Sequence, residues 1–196
     1  WKDMPFDSLV GSMETGNIQI IAAAIGPTKE REKSVDFSDV YYTGSQSIVS
    51  SQKTPLYDFA GLSGKRVAVL EGSQSDFIVS GENTDYGVVE NATVVRFKNA
   101  ASAVMELKNG GADAVINDSP VLKYYLQQGG SADAKVVGAV MNSEDYGIAV
   151  KKGNDKLAAE INKALAEMKQ NGEYDKLYLV FLNIFWSFSG NFNWKW

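Results

Sequence analysis

The chain contains neither cysteine nor histidine. Without cysteine there can be no disulfide and no thiolate metal centre, whatever the compartment. Without histidine there can be no Ser–His catalytic relay and no imidazole-held metal, and no residue pattern calls for a cofactor. Long hydrophobic runs are also missing. The longest, Tyr178 to Trp186, is about half of what a membrane span needs. The opening Trp1-Lys2-Asp3-Met4-Pro5 has no basic segment followed by an apolar one, so no signal peptide is expected in it, and the chain reads as a mature protein or a fragment. Positive charge is sparse and scattered: 19 Lys and Arg in 196 residues, for a net charge of −5. That argues against a nucleic-acid surface. What is present is ordinary for a globular protein, 44% hydrophobic and 22% charged, with enough length for one large domain or two small lobes.

Along the chain, strand and helix signals alternate. Phe6, Leu9, Val10 and Met13 share one helical face, and Gly16 suits the left-handed residue that ends it. Ile18 to Ile25 is apolar and stopped by Gly26-Pro27, which predicts a buried parallel strand. Thr28 can cap a short helix carrying Arg31. Strands are predicted at Tyr41–Ser50, Arg66–Leu70, Val94–Phe97, Asp113–Ile116, Lys135–Val140 and Gly147–Val150. Asn99 caps a helix with Ala103, Val104 and Leu107 inward. Pro120 fits the first helical position after Asp118 or Ser119 as cap. Asn154 starts the most regular helix, with Leu157, Ile161, Leu165 and Met168 predicted buried and Gly172 at its end. Ser80 to Asn91 is polar and reads as a surface loop. The alternation implies an α/β protein with mainly parallel sheets.

Residues 27 to 42 carry the most specific signal. An arginine lies one turn past the Thr28 cap, and Val35-Asp36-Phe37-Ser38-Asp39-Val40-Tyr41-Tyr42 follows. This run resembles the signature of extracellular solute-binding proteins of the amino-acid type, which feed uptake transporters. Other segments fit in the same order: Met13 to Ile18, Leu62 to Val69 with Gly72-Ser73, Ala112 to Pro120, Tyr146 to Gly153, and Asn162 to Tyr174. The resemblance implies two α/β lobes of the type 2 periplasmic-binding-protein fold, joined by crossings near Tyr41–Ser50 and Asp145–Val150. Lobe 1 would comprise residues 1–49 and 144–182, lobe 2 residues 50–143, and residues 183–196 an atypical tail. Relative to the family, the strand, helix and strand that open lobe 1 are missing, so that lobe is expected to be incomplete.

A free amino acid needs a fixed cation for its carboxylate and a fixed anion for its ammonium. The resemblance assigns the first role to Arg31, whose planar guanidinium suits a bidentate carboxylate. The bland alternative is a solvated Arg in the alternating run Lys29 to Lys33. Asp118 follows the apolar run Ala114-Val115-Ile116 and so stands at the carboxyl end of a strand, where open α/β sheets bind ligands. It could equally be a plain helix cap. Ser73 and Gln74 open a helix whose free N–H groups suit a carboxylate, or form an ordinary turn. Asn117 is either a side-chain contact or a turn residue. Ala24 and Gly26 offer backbone groups only, where hydroxyl residues are common in the family.

The expected function is capture of a polar amino acid such as glutamine for an ABC transporter permease, by lobe closure, outside the cytoplasm. The partners are then a small molecule and the permease, with no nucleic acid. Two alternatives remain open: an enzyme on the same fold similar to cyclohexadienyl dehydratases, with Glu71 as general acid, or a sensor or remnant that no longer binds. In the tail, Ile184 to Phe188 and the alternating Phe192, Trp194 and Trp196 suggest either a hairpin over an exposed sheet edge or a poorly ordered appendage.

Overall fold

The computed structural model describes residues 1–82, 89–129 and 134–186. A single 3-10 turn, Phe6–Ser8, leads into α1 (Leu9–Glu14). Leu9 and Met13 are its buried residues, and Gly16 follows at φ +79°. Next come β1 (Ile20–Ile25), α2 (Arg31–Ser34), β2 (Val35–Phe37) and β3 (Tyr42–Ser51). β4 (Arg66–Leu70), α3 (Gln74–Ser80), β5 (Thr93–Phe97), α4 (Ala100–Lys108), β6 (Ala114–Asp118) and α5 (Ser119–Gly129) continue the chain, and β7 (Ala134–Lys151), α6 (Asp155–Gln170) and α7 (Glu173–Trp186) close it.

The strands form one mixed sheet in the order β1-β7-β3-β6-β4-β5, with β2 also on β7. Among the described residues, parallel pairing is confined to β4 with β5 and β4 with β6, and the other pairs are antiparallel. β1 is therefore not the buried parallel strand that its apolar run predicts. It pairs antiparallel with β7, with only Ile21 and Ile25 buried and Ile20 45% exposed. Apolar content alone carries no information about strand direction. Lys135–Val140 and Gly147–Val150 belong to one strand, β7, because the intervening backbone stays paired with β3 from Ser45↔Ser143 to Tyr42↔Tyr146. β3 and β7 are the long antiparallel pair on which the rest hangs.

Side-chain alternation divides the β3–β6–β4 region into two cores, one on each face. Ile48, Val67, Val69 and Ile116 pack with Leu62, Ile78 and Val79 on one side. Val49, Ala68 and Val115 pack with Ala103, Val104, Leu107 and Leu122 on the other. A third cluster joins Leu9, Met13, Ile21, Ile25, Val35 and Ala149. The expected caps form: Asn99 Oδ1 accepts from the Ser102 amide at 2.8 Å and Asn154 Oδ1 from the Leu157 amide at 3.3 Å. Pro120 is the second, not the first, residue of α5.

Helix α6 departs from expectation. None of its residues is buried, and Leu157, Ile161, Leu165 and Met168 are only half-buried. Its 3.6-residue pattern identifies the inward face, but among the described residues the neighbours of that face cover it only in part. In the tail, Ile184 to Trp186 are helical as the end of α7, not the strand of a hairpin; 187–196 lie outside the described residues, as do 83–88 of the expected Ser80–Asn91 loop.

Candidate functional site

Arg31 is the first residue of α2, and Thr28 Oγ1 accepts from its amide at 3.1 Å, so the predicted cap sets its position. Only 8% of it is exposed. Its Nη1 donates to the Gly26 carbonyl at 2.9 Å and its Nη2 to the Gly72 carbonyl at 3.0 Å, and the guanidinium lies 5.5 Å from the centre of the Phe6 ring. Burial lowers its pKa from the usual value, and the charges of Glu144 and Asp118 oppose that. An arginine with this start remains a cation at neutral pH.

Ala24, Arg31, Ser73, Gln74, Asn117 and Asp118 line one cavity of about 70 Å³, with Phe6 and Glu144 among its other walls. Six of the seven residues expected at the site thus meet there, and the seventh, Gly26, is attached through its bond to Arg31. Ala24 has φ +49°, uncommon for a residue with a side chain, and falls where the β1–β7 register slips between Ile21 and Ile25. Gly26 is required by close approach: a Cβ there would stand 2.8 Å from the Asp145 carbonyl and 3.0 Å from Glu144 Oε1.

The turn before α3 differs from the open N–H nest that its sequence suggests. Gly72 N–H donates to Asp76 Oδ2 and Ser73 N–H to the Leu70 carbonyl, both at 3.1 Å. Ser73 Oγ accepts from the Asp76 amide at 3.3 Å as an ordinary cap. What this segment turns toward the cavity is Gln74, 6% exposed, whose Oε1 is buried without a hydrogen-bond partner among the described residues. The same holds for Nδ2 of Asn117, 4% exposed, whose Oδ1 accepts from the Asp118 amide at 2.7 Å. Buried polar atoms without partners are costly. One orphan acceptor and one orphan donor on a single cavity mark a place for a polar guest.

Asp118 stands at the end of β6 as expected, and its carboxyl is engaged across the sheet. Gln46, on β3, holds it: Nε2 of Gln46 donates to Asp118 Oδ1 and, at 2.7 Å, to Glu144 Oε2. Ser75 Oγ donates to Gln46 Oε1 at 2.5 Å, fixing the amide. Burial raises Asp118 to about 6, against the nearby Tyr146 hydroxyl, the Gln46 hydrogen bond and the Arg31 charge. Burial, then the Asp118 charge, raises Glu144 to about 7. Tyr146 is pushed up by burial and both carboxylates.

Gln46, Glu144 and Tyr146 are not foreseen by the sequence reading. For Gln46 a signal exists: Thr43 to Ser47 puts polar residues into a strand that is buried at Gly44 and from Gln46 to Ser50, and polar groups inside a sheet need a reason. Glu144 has none, since Ser143-Glu144-Asp145 looks like any solvated stretch. Glu71, the candidate general acid, is elsewhere. It pairs with Lys98 at 2.9 Å in a surface cluster with Asp7 and does not line the cavity.

Beyond Asp118 a larger cavity of about 490 Å³ shares Ala24, Asp118 and Val121 with the first. Its walls are mainly apolar and aromatic, including Tyr41, Tyr42, Tyr146, Leu165, Met168 and Tyr178. The smaller cavity has Arg31, Glu144, Gln74 and Asn117 to itself, while Tyr146, whose Oη is also buried without a partner among the described residues, lines the larger one, and Asp118 lines both. Among the described residues no group of three or more acidic side chains could hold a metal, and no helix is long and apolar enough to cross a membrane.

This chain belongs to the bacterial extracellular solute-binding proteins, family 3, whose model matches residues 1–183. It is 35% identical over 179 residues to the glutamine-binding protein of an ABC transporter from Bacillus subtilis, covering 91% of this chain and 63% of that one. It is 34% identical to the L-arginine-binding protein of Pseudomonas aeruginosa, covering 90% of this chain and 70% of that one. The chain thus spans about two thirds of the length of these curated relatives. An ancestral arginine-binding protein bound to arginine superposes with a TM-score of 0.83 at 41% identity, over 92% of this chain and 78% of that one. An ancestral arginine-binding protein bound to glutamine matches with a TM-score of 0.83 at 40% identity. The architecture is that of a type 2 periplasmic binding protein with a mixed sheet.

Proposed function

We propose that the protein is an extracytoplasmic receptor that captures a free amino acid and presents it to an ABC transporter permease. The observation that carries this reading is one small cavity that joins the buried Arg31 guanidinium, the Asp118 carboxyl, and the orphan polar atoms of Gln74 and Asn117. Arg31 takes the α-carboxylate with Asn117 Nδ2 as second donor. Asp118 takes the α-ammonium, and Gln74 Oε1 accepts from whatever donor remains. Ser73 shapes the turn, and Ala24 and Gly26 supply backbone. Lobes at residues 1–49 with 144–182 and at 50–143 close on the ligand about β3 and β7, and the ligand favours closure by contacting both. The relatives bind glutamine, arginine and other amino acids by their names, which supports the ligand class.

Titration calorimetry against a panel of amino acids tests the reading. Replacing Arg31 by Ala removes one partner of a buried charged pair, and a loss of about 2–5 kcal/mol in affinity is expected. Asp118→Asn should weaken amino acids strongly and their des-amino analogues far less. Unchanged affinity in Arg31→Ala, or equal losses for both ligand types in Asp118→Asn, would overturn the assignment.

A further inference from the structure

The site has one more charge than an amino-acid head group requires. Arg31 answers the α-carboxylate and Asp118 the α-ammonium, and Glu144 remains on the same cavity. Among the described residues neither carboxyl forms a direct ion pair with Arg31, whose guanidinium hydrogen-bonds to two carbonyls, on Gly26 and Gly72. One neutral amide, Gln46 Nε2, separates the two carboxyls by donating to both. With both carboxyls ionised the three groups sum to −1. A neutral zwitterion leaves that charge uncompensated in a buried place, whereas an amino acid with one further positive charge cancels it. The unpartnered Gln74 Oε1 adds another acceptor in the same cavity. Gly26 has no side chain to cover Glu144 Oε1, which would lie only 3.0 Å from a Cβ at that position.

We propose that Glu144 is a specificity-determining residue of this site, its carboxylate receiving a second positive charge on the ligand, so that amino acids with a cationic side chain are the substrate class. This rests on the amino-acid reading above and goes beyond it by naming the residue that sets the charge class. The preference is also conditional. The groups that act on the pair are Arg31 from α2, Gln46 from β3 and Tyr146 from β7, while Tyr41 and Tyr42 feel the Asp118 charge. Phenols do not titrate near neutrality, so between about pH 5 and 8 the two carboxyls alone change state in the site. Glu144, raised to about 7, takes up a proton first as pH falls, the site becomes neutral, and the advantage of a cationic ligand shrinks.

The experiment is calorimetry of the chain with L-arginine and L-glutamine, at about pH 8 and about pH 5.5, for the wild type and for Glu144→Gln, which keeps the acceptor for Gln46. At the higher pH the wild type should bind arginine more tightly. In Glu144→Gln the ratio of the two Kd values should move toward glutamine by about ten-fold or more. Lowering the pH should move the wild-type ratio the same way and the variant's ratio far less. A ratio unchanged by the substitution would overturn the role of Glu144 while leaving the receptor reading intact. Absence of any amino-acid binding by the wild type would instead overturn the receptor reading itself, and this proposal with it.

Discussion

The β3–β6–β4–β5 region and the α6–α7 side of the molecule are built from equally regular sequence and end up very differently covered. In the first, Ile48, Leu62, Val67, Val69 and Ile116 have no exposed surface on one face, and Val49, Ala68 and Val115 none on the other. In the second, α6 has a clear apolar stripe that is only half-buried, and Leu177 and Leu179 of α7 are more than half exposed. The difference teaches that amphipathic spacing specifies which face a helix turns inward, not how much surface it finds there. A sheet sandwiched between helices is closed on both sides, whereas a helix pair over a 490 Å³ cavity is covered only in part.

This contrast can be broken by mutation. The largest effect is expected at Ile116, which is fully buried in the first core. Ile116→Ala should lose about 2–5 kcal/mol of unfolding free energy in urea titration. A smaller effect comes from the carboxyl pair between the two regions. Because the folded chain raises Asp118 to about 6 and Glu144 to about 7, it holds protons that the unfolded chain releases. The stability they contribute is present below the ordinary carboxylate range and is lost as pH rises through those values. Relative to wild type, Glu144→Gln should therefore gain stability on the order of 1–3 kcal/mol at about pH 8 and nothing at about pH 4. Parallel stability–pH curves for the two proteins would mean that burial does not act on Glu144 as described. The smallest effect is expected on α6, where Leu165→Ala should cost under about 1 kcal/mol, since a half-exposed side chain has less apolar surface to lose. A loss at Leu165 as large as at Ile116 would erase the contrast.

The strand and helix order was legible because hydrophobic period and caps are local: Asn99, Asn154, Thr28 and Gly16 all act within a few residues of themselves. Strand direction was not, because whether β1 runs with or against β7 depends on a partner more than a hundred residues away. The site was legible in the same measure. Arg31 and Asp118 belong to recognisable local patterns. Gln46 and Glu144 gain their meaning only when β3 and β7 are laid side by side. The turn at Gly72 and Ser73 shows the converse, since a segment with the look of an anion nest uses both of those N–H groups on Leu70 and Asp76.

Gly26 has a consequence for anyone seeking to alter what this cavity admits. Serine or threonine at that position would drive a carbon against the Asp145 main-chain carbonyl, at 2.8 Å, and a main-chain carbonyl in the β3–β7 ladder cannot step aside as a side chain can. A hydroxyl side chain is therefore barred at position 26, whereas Ala24, also on the cavity, already carries a Cβ. Selectivity is then redrawn through side chains already on the cavity, Glu144 and the Gln74 and Asn117 amides with their unpartnered atoms. A single absent carbon thus fixes residue 26 as glycine and leaves the tuning of the cavity to the side chains that line it.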